Sequence, residues 1–206
     1  MEIGAARKTQ ARLSGIVLAG GHSQRMGCDK AFIDLDGRPL ISRILDKLAR
    51  FCDELIISAN QAEPFGGLPA RVVPDVIPER GALSGIHAGL KAMRNERAVV
   101  VACDMPFLSL SLLRFMAAIS PGYDAVVPRI GKYYEPLHAV YSADCVGPIQ
   151  ELVAAGPRRI VSLYDRVVVR EVTEDEVRLF GASLSFVNVN TPEDWENVER
   201  LRYALV

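Results

Sequence analysis

Apolar and polar residues along this chain fall into blocks of two kinds. Short apolar runs at Gly15 to Ala19, Leu55 to Ala59, Arg71 to Val73 and Ala98 to Ala102 have the length and β-branched content of strands. Between them, Ile41 to Arg50, Ile86 to Arg94 and Leu110 to Ile119 repeat their apolar positions at helical spacing. Ile56-Ile57 and Val99-Val100-Val101 carry no polar face, as strands buried from both sides require. The alternation predicts an α/β domain with a mostly parallel sheet and helices on both faces. Right-handed crossovers collect the loops after these strands along one edge. Ligands of open α/β sheets sit at that edge, where the chain reverses its direction of winding.

The second half is less regular. It predicts strands at Ala125 to Val127, Leu137 to Tyr141, Val167 to Val172 and Leu184 to Val187, and helices over Asp144 to Ala155 and Pro192 to Leu201. The last helix is the best signalled. Thr191 suits the cap, Pro192 the first helical position and Asp194 the capping-box acid, with Arg200 and Arg202 complementing the dipole at its far end.

The stretch SGIVLAGGHSQRMGCDK, Ser14 to Lys30, joins the first strand to a loop rich in glycine and cations. Gly20, Gly21 and Gly27 let the backbone turn and approach a ligand closely. Arg25 offers a planar fork for two phosphate oxygens and Lys30 a compact charge for one. The combination suits a triphosphate, although no Gly-Lys-Ser/Thr closes it as in a P-loop and no G-x-G-x-x-G opens a helix. An ordinary strand-to-helix connection with surface cations is the alternative.

Length and composition narrow the picture. With 206 residues, half of them apolar, the chain fits one domain with a full core, spanning 13–206 after a loose segment 1–12. A formal charge of -1, from mixed acids and bases, gives no general attraction to nucleic acid or anionic membrane. Cys28, Cys52, Cys103 and Cys145 lie far apart without a C-x-x-C, and the three histidines lack ligand spacing, so zinc is not expected. The N-terminal residues lack the apolar centre of a signal peptide, and no run is long enough to span a bilayer. A cytoplasmic protein with reduced thiols is expected.

Two acids follow strands on the ligand edge. Asp104 follows the apolar run Val99 to Ala102 with only Cys103 between, where a single hard carboxylate suits Mg²⁺, an ion that completes its shell with phosphate oxygens and water. A turn aspartate bonding its own backbone is the other reading. Asp75, in V-P-D-V, is either a ligand contact or a turn residue. Gly81, Leu83, Ser84 and Gly85 lead into the second predicted helix, with Ser84 a candidate cap; the glycines would serve either a flat base or close packing. His138, inside an apolar strand pattern, reads as a core histidine rather than a base.

Assembled, these residues resemble the molybdenum cofactor guanylyltransferase family of MobA-type nucleotidyltransferases, over nearly the whole chain. The resemblance is carried by LAGGHSQRMGCDK at Leu18 to Lys30, DGRPL at Asp36 to Leu40, Asp75, Asp104, YEPLHAVY at Tyr134 to Tyr141, AGPRR at Ala155 to Arg159 and FVNVNTPEDW at Phe186 to Trp195. LAGG with a later lysine is shared with sugar-phosphate nucleotidyltransferases; the ordered set is more specific. One departure is Ala82, where the family commonly has proline in G-P-L-x-G.

The resemblance implies a Rossmann-like nucleotidyltransferase fold. It implies transfer of GMP from GTP to the terminal phosphate of molybdopterin, with or without molybdenum, with release of pyrophosphate. Leu18, Ala19, Gly20 and Gly21 would meet the nucleotide through backbone, Lys30 its phosphates, Asp75 the guanosine and Asp104 the Mg²⁺; Asn60 would be a further nucleotide contact, as would Gly85 if the glycines before the second helix serve a flat base. Lys30, Arg25 and Asp104 would carry catalysis. Arg158, Arg159, Asn188 and Asn190 are the candidates on the pterin side, with a solvated helix end as the other reading of the two arginines. LAGG in place of the LAAG of cytidylyltransferase relatives favours guanine over cytosine. Molybdopterin-loading proteins and molybdoenzyme acceptors are the partners that such an activity allows. A cytidylyltransferase, a sugar-phosphate nucleotidyltransferase and a non-catalytic accessory protein for cofactor delivery remain alternatives. Cys28 lies within the phosphate loop, where modification of its thiol would block the site.

Overall fold

The computed structural model describes residues 12–19, 30–75, 81–156 and 159–204. The first half alternates as expected: β1 (Ser14–Leu18), α1 (Leu40–Leu48), β2 (Glu54–Ser58), β3 (Arg71–Val73), α2 (Ala82–Ala92), β4 (Arg97–Ala102) and α3 (Leu110–Ala118). Then follow β5 (Ala125–Ile130), β6 (Tyr133–Tyr134), β7 (His138–Ser142), α4 (Val146–Ala154), β8 (Val169–Val172), α5 (Glu174–Leu179) and α6 (Pro192–Ala204).

The sheet runs β3-β2-β1-β4-β7-β5-β6, with β8 also paired to β5. β1 is parallel to both β2 and β4, β2 is parallel to β3, and β8 is parallel to β5. β7 is inserted antiparallel between β4 and β5. The chain builds outward from β1 through β2 to β3, then crosses back to place β4 on the other side of β1. The reversal of winding therefore falls between the carboxyl ends of β1 and β4.

Both faces are covered. One face packs β1, β2 and β4 under α1 and α3 through Val17, Ile57, Val99 and Val101; the other packs Ile16, Ile56, Val100 and Tyr141 under α2 and α4. The turn that leads into α1 is dictated by Asp36-Gly37. Both residues have positive φ, 57° and 73°, as a primed hairpin turn needs, and the Leu35 amide donates to the Arg38 carbonyl at 2.9 Å. The Asp34 carboxylate braces this turn by accepting from the Gly37 amide, 2.7 Å away.

Three sequence expectations are corrected. Leu184 to Val187 is not a strand: Ser183–Phe186 forms a 3-10 turn. Its alternating pattern is satisfied by a different packing, in which Ser185 Oγ accepts from the Ser109 amide at 2.7 Å and meets His138 Nδ1 at 3.3 Å. The second helix starts at Ala82 rather than Ile86, because Gly81, at φ 70°, turns the chain ahead of it; Ser84 is buried inside the first turn and is not the cap. β6 and α5 are additions to the expected elements. α5 carries its own capping box between Thr173 and Glu176.

The last helix begins as expected. Thr191 Oγ1 accepts from the Asp194 amide at 3.1 Å, and Asp194 Oδ2 accepts from the Thr191 and Asn190 amides at 2.9 and 2.8 Å. Cys52 and Cys145 are buried free thiols, and burial pushes both up to about 12. Among the described residues, no helix is long and apolar enough to cross a membrane.

His138 is fully buried in β7, its ring against Phe186 with centroids 5.1 Å apart. Burial, reinforced by the charge of Lys47, lowers its pKa to about 3. It is the core histidine that its apolar surroundings imply. Between about pH 6.5 and 3 the unfolded chain binds a proton at this position that the folded chain refuses, so stability is full above about pH 6.5 and falls with acidity below it. The slope from this residue is up to about 1.4 kcal/mol per pH unit. We predict that His138→Phe reduces the loss of urea-unfolding free energy between pH 7.5 and 5; equal losses in variant and parent would refute the assignment.

α2 approaches β1 closely enough to require glycine at 89. A Cβ there would lie 2.6 Å from Ile16 Cγ2 and 2.9 Å from Ile16 Cδ1. Alanine gains roughly 0.5–1 kcal/mol of helix propensity, but overlap with a fully buried, β-branched side chain costs about 1–3 kcal/mol. Gly89→Ala should therefore lower the melting temperature; a rise would show that α2 shifts freely on the sheet.

Candidate active site

The site begins where the β1 ladders stop. The Cys103 amide donates to the Leu18 carbonyl at 3.0 Å, and the Ala19 amide donates to the Ser58 carbonyl at 2.9 Å. β1 therefore ends between the carboxyl ends of β2 and β4. Leu18 is buried and Ala19 half-buried, so the backbone that resemblance assigns to the nucleotide stands at the carboxyl edge of the sheet, beside the reversal of winding. Gly20, Gly21, Arg25 and Cys28 lie outside the described residues. Lys30 opens a short turn, Lys30–Phe32, and its side chain also lies outside them.

On the β2–β3 side, Ser58 Oγ donates to Asp75 Oδ1 at 2.8 Å. Burial raises the Asp75 pKa, and the Ser58 bond partly offsets that rise. Gly85, in the first turns of α2, sits against both groups: a Cβ there would be 3.1 Å from Ser58 Oγ, 3.2 Å from Leu18 Cδ2 and 3.4 Å from Asp75 Oδ1. Leu18, Ser58, Asp75 and Gly85 are thus one cluster. This geometry favours the close-packing reading of Gly85. Asn60 is exposed just past β2 on the same edge.

On the β4 side, Asp104 follows the strand by two residues and is half-buried. Its carbonyl accepts from the Val189 amide at 3.0 Å, which brings the segment before α6 up to the end of β4. Asn188, next to Val189, has its Oδ1 buried with no hydrogen-bond partner among the described residues. A buried amide oxygen of this kind is an acceptor awaiting a donor. Asn190 is exposed, and its amide is held by Asp194. Arg159 is exposed ahead of the turn Ile160–Leu163, and Arg158 lies outside the described residues.

Among the described residues no group of three or more His, Cys, Asp or Glu side chains is placed to hold a metal. That excludes an all-protein cage there, not an ion carried mainly by phosphates. A cavity of about 330 Å³ lies beside the site, between α1 and the loop after β4, with Arg43, Lys47, Phe107 and Ser185 in its wall. Both cations are committed to loop carbonyls: Lys47 Nζ donates to the Leu108 carbonyl at 2.9 Å and Arg43 Nη1 to that of Leu35 at 3.1 Å.

Two edge residues escape a reading of the sequence. Ser58 has the look of the end of an apolar strand, and only the contact with Asp75 gives it a role. Glu135 stands out in the sequence only as part of YEPLHAVY. It occupies the turn from β6 to β7, where its amide donates to the Pro128 carbonyl at 2.9 Å and its carbonyl accepts from the His138 amide at 3.1 Å. Burial alone raises its pKa.

Comparison with known proteins bears on the family and the fold. Residues 15–170 match the family described as the MobA-like NTP transferase domain. A probable molybdenum cofactor guanylyltransferase of Pelotomaculum thermopropionicum is 42% identical over 182 residues, covering 88% of this chain and 89% of the relative. A molybdenum cofactor guanylyltransferase of Desulfosudis oleivorans is 39% identical over 190 residues, covering 91% and 94%. The crystal structure of molybdopterin-guanine dinucleotide biosynthesis protein A from Archaeoglobus fulgidus superposes with a TM-score of 0.80 at 28% identity, over 93% of this chain and 99% of that one. With its sheet reversing between β1 and β4, and with matched sequence running from β1 into β8, this chain belongs to the MobA-like NTP transferase domain family.

Proposed function

We propose that the protein, as one domain, transfers GMP from GTP to the terminal phosphate of molybdopterin, giving the guanine dinucleotide and pyrophosphate. The observation that carries this reading is the convergence of Leu18, Asp75, Gly85 and Asp104 on the edge where the sheet reverses its winding. Relatives named as molybdenum cofactor guanylyltransferases at 39–42% identity supply the substrate class.

In this reading an oxygen of the pterin phosphate forms a bond to the α-phosphorus of GTP while the bond from that phosphorus to the bridging oxygen breaks. Pyrophosphate leaves with the bonding pair. No protein nucleophile is needed. The protein's part is to orient two polyanions and offset their repulsion. Leu18, Ala19, Gly20 and Gly21 offer backbone to the nucleotide, Lys30 and Arg25 offer charge to its phosphates, and Asp75 and Asn60 bind the guanosine. Asn188 and Asn190, with Arg158 and Arg159, serve the pterin side.

Asp104 is the residue that would hold Mg²⁺. A single carboxylate at a strand end, on a half-buried residue, fits an ion that takes one or two protein oxygens and fills the rest of its octahedron from phosphates and water. When bound, the ion supplies positive charge to the phosphate oxygens and the leaving pyrophosphate.

The deciding measurement is pyrophosphate release from GTP, and separately from CTP, with purified protein, Mg²⁺ and molybdopterin, the pterin product being identified by mass. Release with GTP and a guanosine-linked pterin are expected. Preference for CTP would keep the chemistry and overturn the base assignment, and release with neither would remove this acceptor. Lys30→Ala should lower kcat by about 10²- to 10³-fold, the size of a lost preorganised charge contact; near-normal turnover would reject its role. Asp104→Asn should raise the Mg²⁺ concentration needed for half-maximal rate, whereas an unchanged Mg²⁺ dependence would place the ion elsewhere.

A further inference from the structure

Glu135 is a carboxylate without an evident structural purpose. The other described carboxylates with shifted acidity all have donors. Glu54 has Arg71, the Arg94 amide and Ser14; Glu171 has Arg129 and Tyr134; Glu176 has Arg170 and Thr173; Asp75 has Ser58. Glu135 is half-buried, and its side chain makes no hydrogen bond or ion pair among the described residues. An acceptor-only group that loses water without gaining a donor is destabilising. Such a group fits a place where a ligand brings the donors.

Its location points to the acceptor and not the nucleotide. The turn Glu135–Leu137 is pinned to the carboxyl end of β4, since the Ala102 amide donates to the Leu137 carbonyl at 3.1 Å, directly before Cys103 and Asp104. The Asp75 side of the site, which the proposed reading gives to the guanosine, stands at β3 and α2. In the order β3-β2-β1-β4-β7, the strand that Glu135 precedes is four spacings from β3, about 19 Å, beyond the reach of a base seated at Asp75. From β1 it is two spacings, about 10 Å, which a fused-ring acceptor with its phosphate at the β1–β4 crevice can bridge. The surroundings suit a flat ring. Tyr134 and Tyr164 meet edge to face at 4.9 Å, and Tyr164, whose phenol is raised first by burial, is near enough to feel the Glu135 charge as well.

We propose that the Glu135 carboxylate binds the acceptor's pterin ring by accepting the side-by-side N–H donors of its 2-amino-4-oxo edge. Two coplanar carboxylate oxygens match two parallel N–H groups, and the charge strengthens both bonds. Glutamine at this position keeps the shape but turns an N–H₂ toward one of the ligand's donors. Guanine carries the same donor edge, and the strand spacing assigns Glu135 to the pterin. The assignment rests on the proposed acceptor.

The test uses the full-length protein as parent, Glu135→Gln and Glu135→Asp. Molybdopterin binding is followed by its own fluorescence without GTP, and KM is measured for molybdopterin and GTP separately. Glu135→Gln should weaken molybdopterin binding and raise its KM about ten-fold or more, with the KM for GTP within about two-fold of the parent. Glu135→Asp should fall between them. Because the charge it removes has no partner among the described residues, Glu135→Gln should melt no lower than the parent; a clear drop in melting temperature would show a structural carboxylate and overturn the proposal. Unchanged pterin binding would overturn it too, and a raised KM for GTP would reassign the residue to guanine. Failure of the parent to make a guanosine-linked pterin would instead reject the acceptor reading, while the fluorescence titration, which needs no turnover, still decides whether Glu135 holds a pterin.

Discussion

The last rung between β1 and β4, from the Cys103 amide to the Leu18 carbonyl, fixes where the site can be. β1 is paired on both sides by parallel strands and packed on both faces, so its chain has one way out, over the carboxyl edge. The same ladder brings Asp104 level with the end of β1, because the registers Leu18↔Ala102 and Leu18↔Ser58 set three strand ends side by side. Close packing preserves that alignment. Gly89 lets α2 rest on Ile16, and Gly85 then places the first turns of the same helix against Ser58 and Asp75. A helix held further out would leave the Asp75 cluster more open to water.

The acids of shifted acidity fall into two groups. Away from the edge, three are tied to cations: Arg71 to Glu54 at 2.9 Å, Arg129 to Glu171 at 3.1 Å, and Arg170 to Glu176. At the edge, Asp75 and Glu135 have lost water without gaining a cation among the described residues, and both are raised by burial. Partly desolvated, weakly compensated carboxylates on a ligand edge suit neutral N–H and O–H donors of heterocycles and sugars. In the proposed reading the phosphates fall to Lys30 and Arg25. On opposite sides of the β1–β4 crevice, the two acids would give one domain two places for heterocycles and one meeting point for their phosphates.

Much of the first half was legible because its signals are local. Three- to six-residue apolar runs without a polar face can bury themselves only in a covered sheet, and Thr191-Pro192 with Asp194 carries a cap whose geometry depends on adjacent residues alone. Asp75, Asp104 and Gly85 were legible as types of residue at strand ends and a helix start. What was misread depended on distant partners. The Leu184 to Val187 alternation is compatible with a strand, and only the approach of Ser109 and His138 turns it into a 3-10 turn. Ser84 has the chemistry of a cap, but the left-handed turn at Gly81 starts the helix before it.

The sequence by itself determined the α/β class, the doubly covered parallel strands, the edge on which their loops collect and the polar residues available there. Those follow from periodicity, β-branching and chain connectivity, which act over a few residues or through the handedness of a crossover. Tertiary structure decided which of those polar residues share a site. Ser58 meets Asp75 across two strands, Val189 reaches Asp104 from the far end of the chain, and Glu135 is held beside β4 by an antiparallel strand inserted later. Each is a contact between segments remote in sequence, set by register and packing, and so absent from any local pattern of residues.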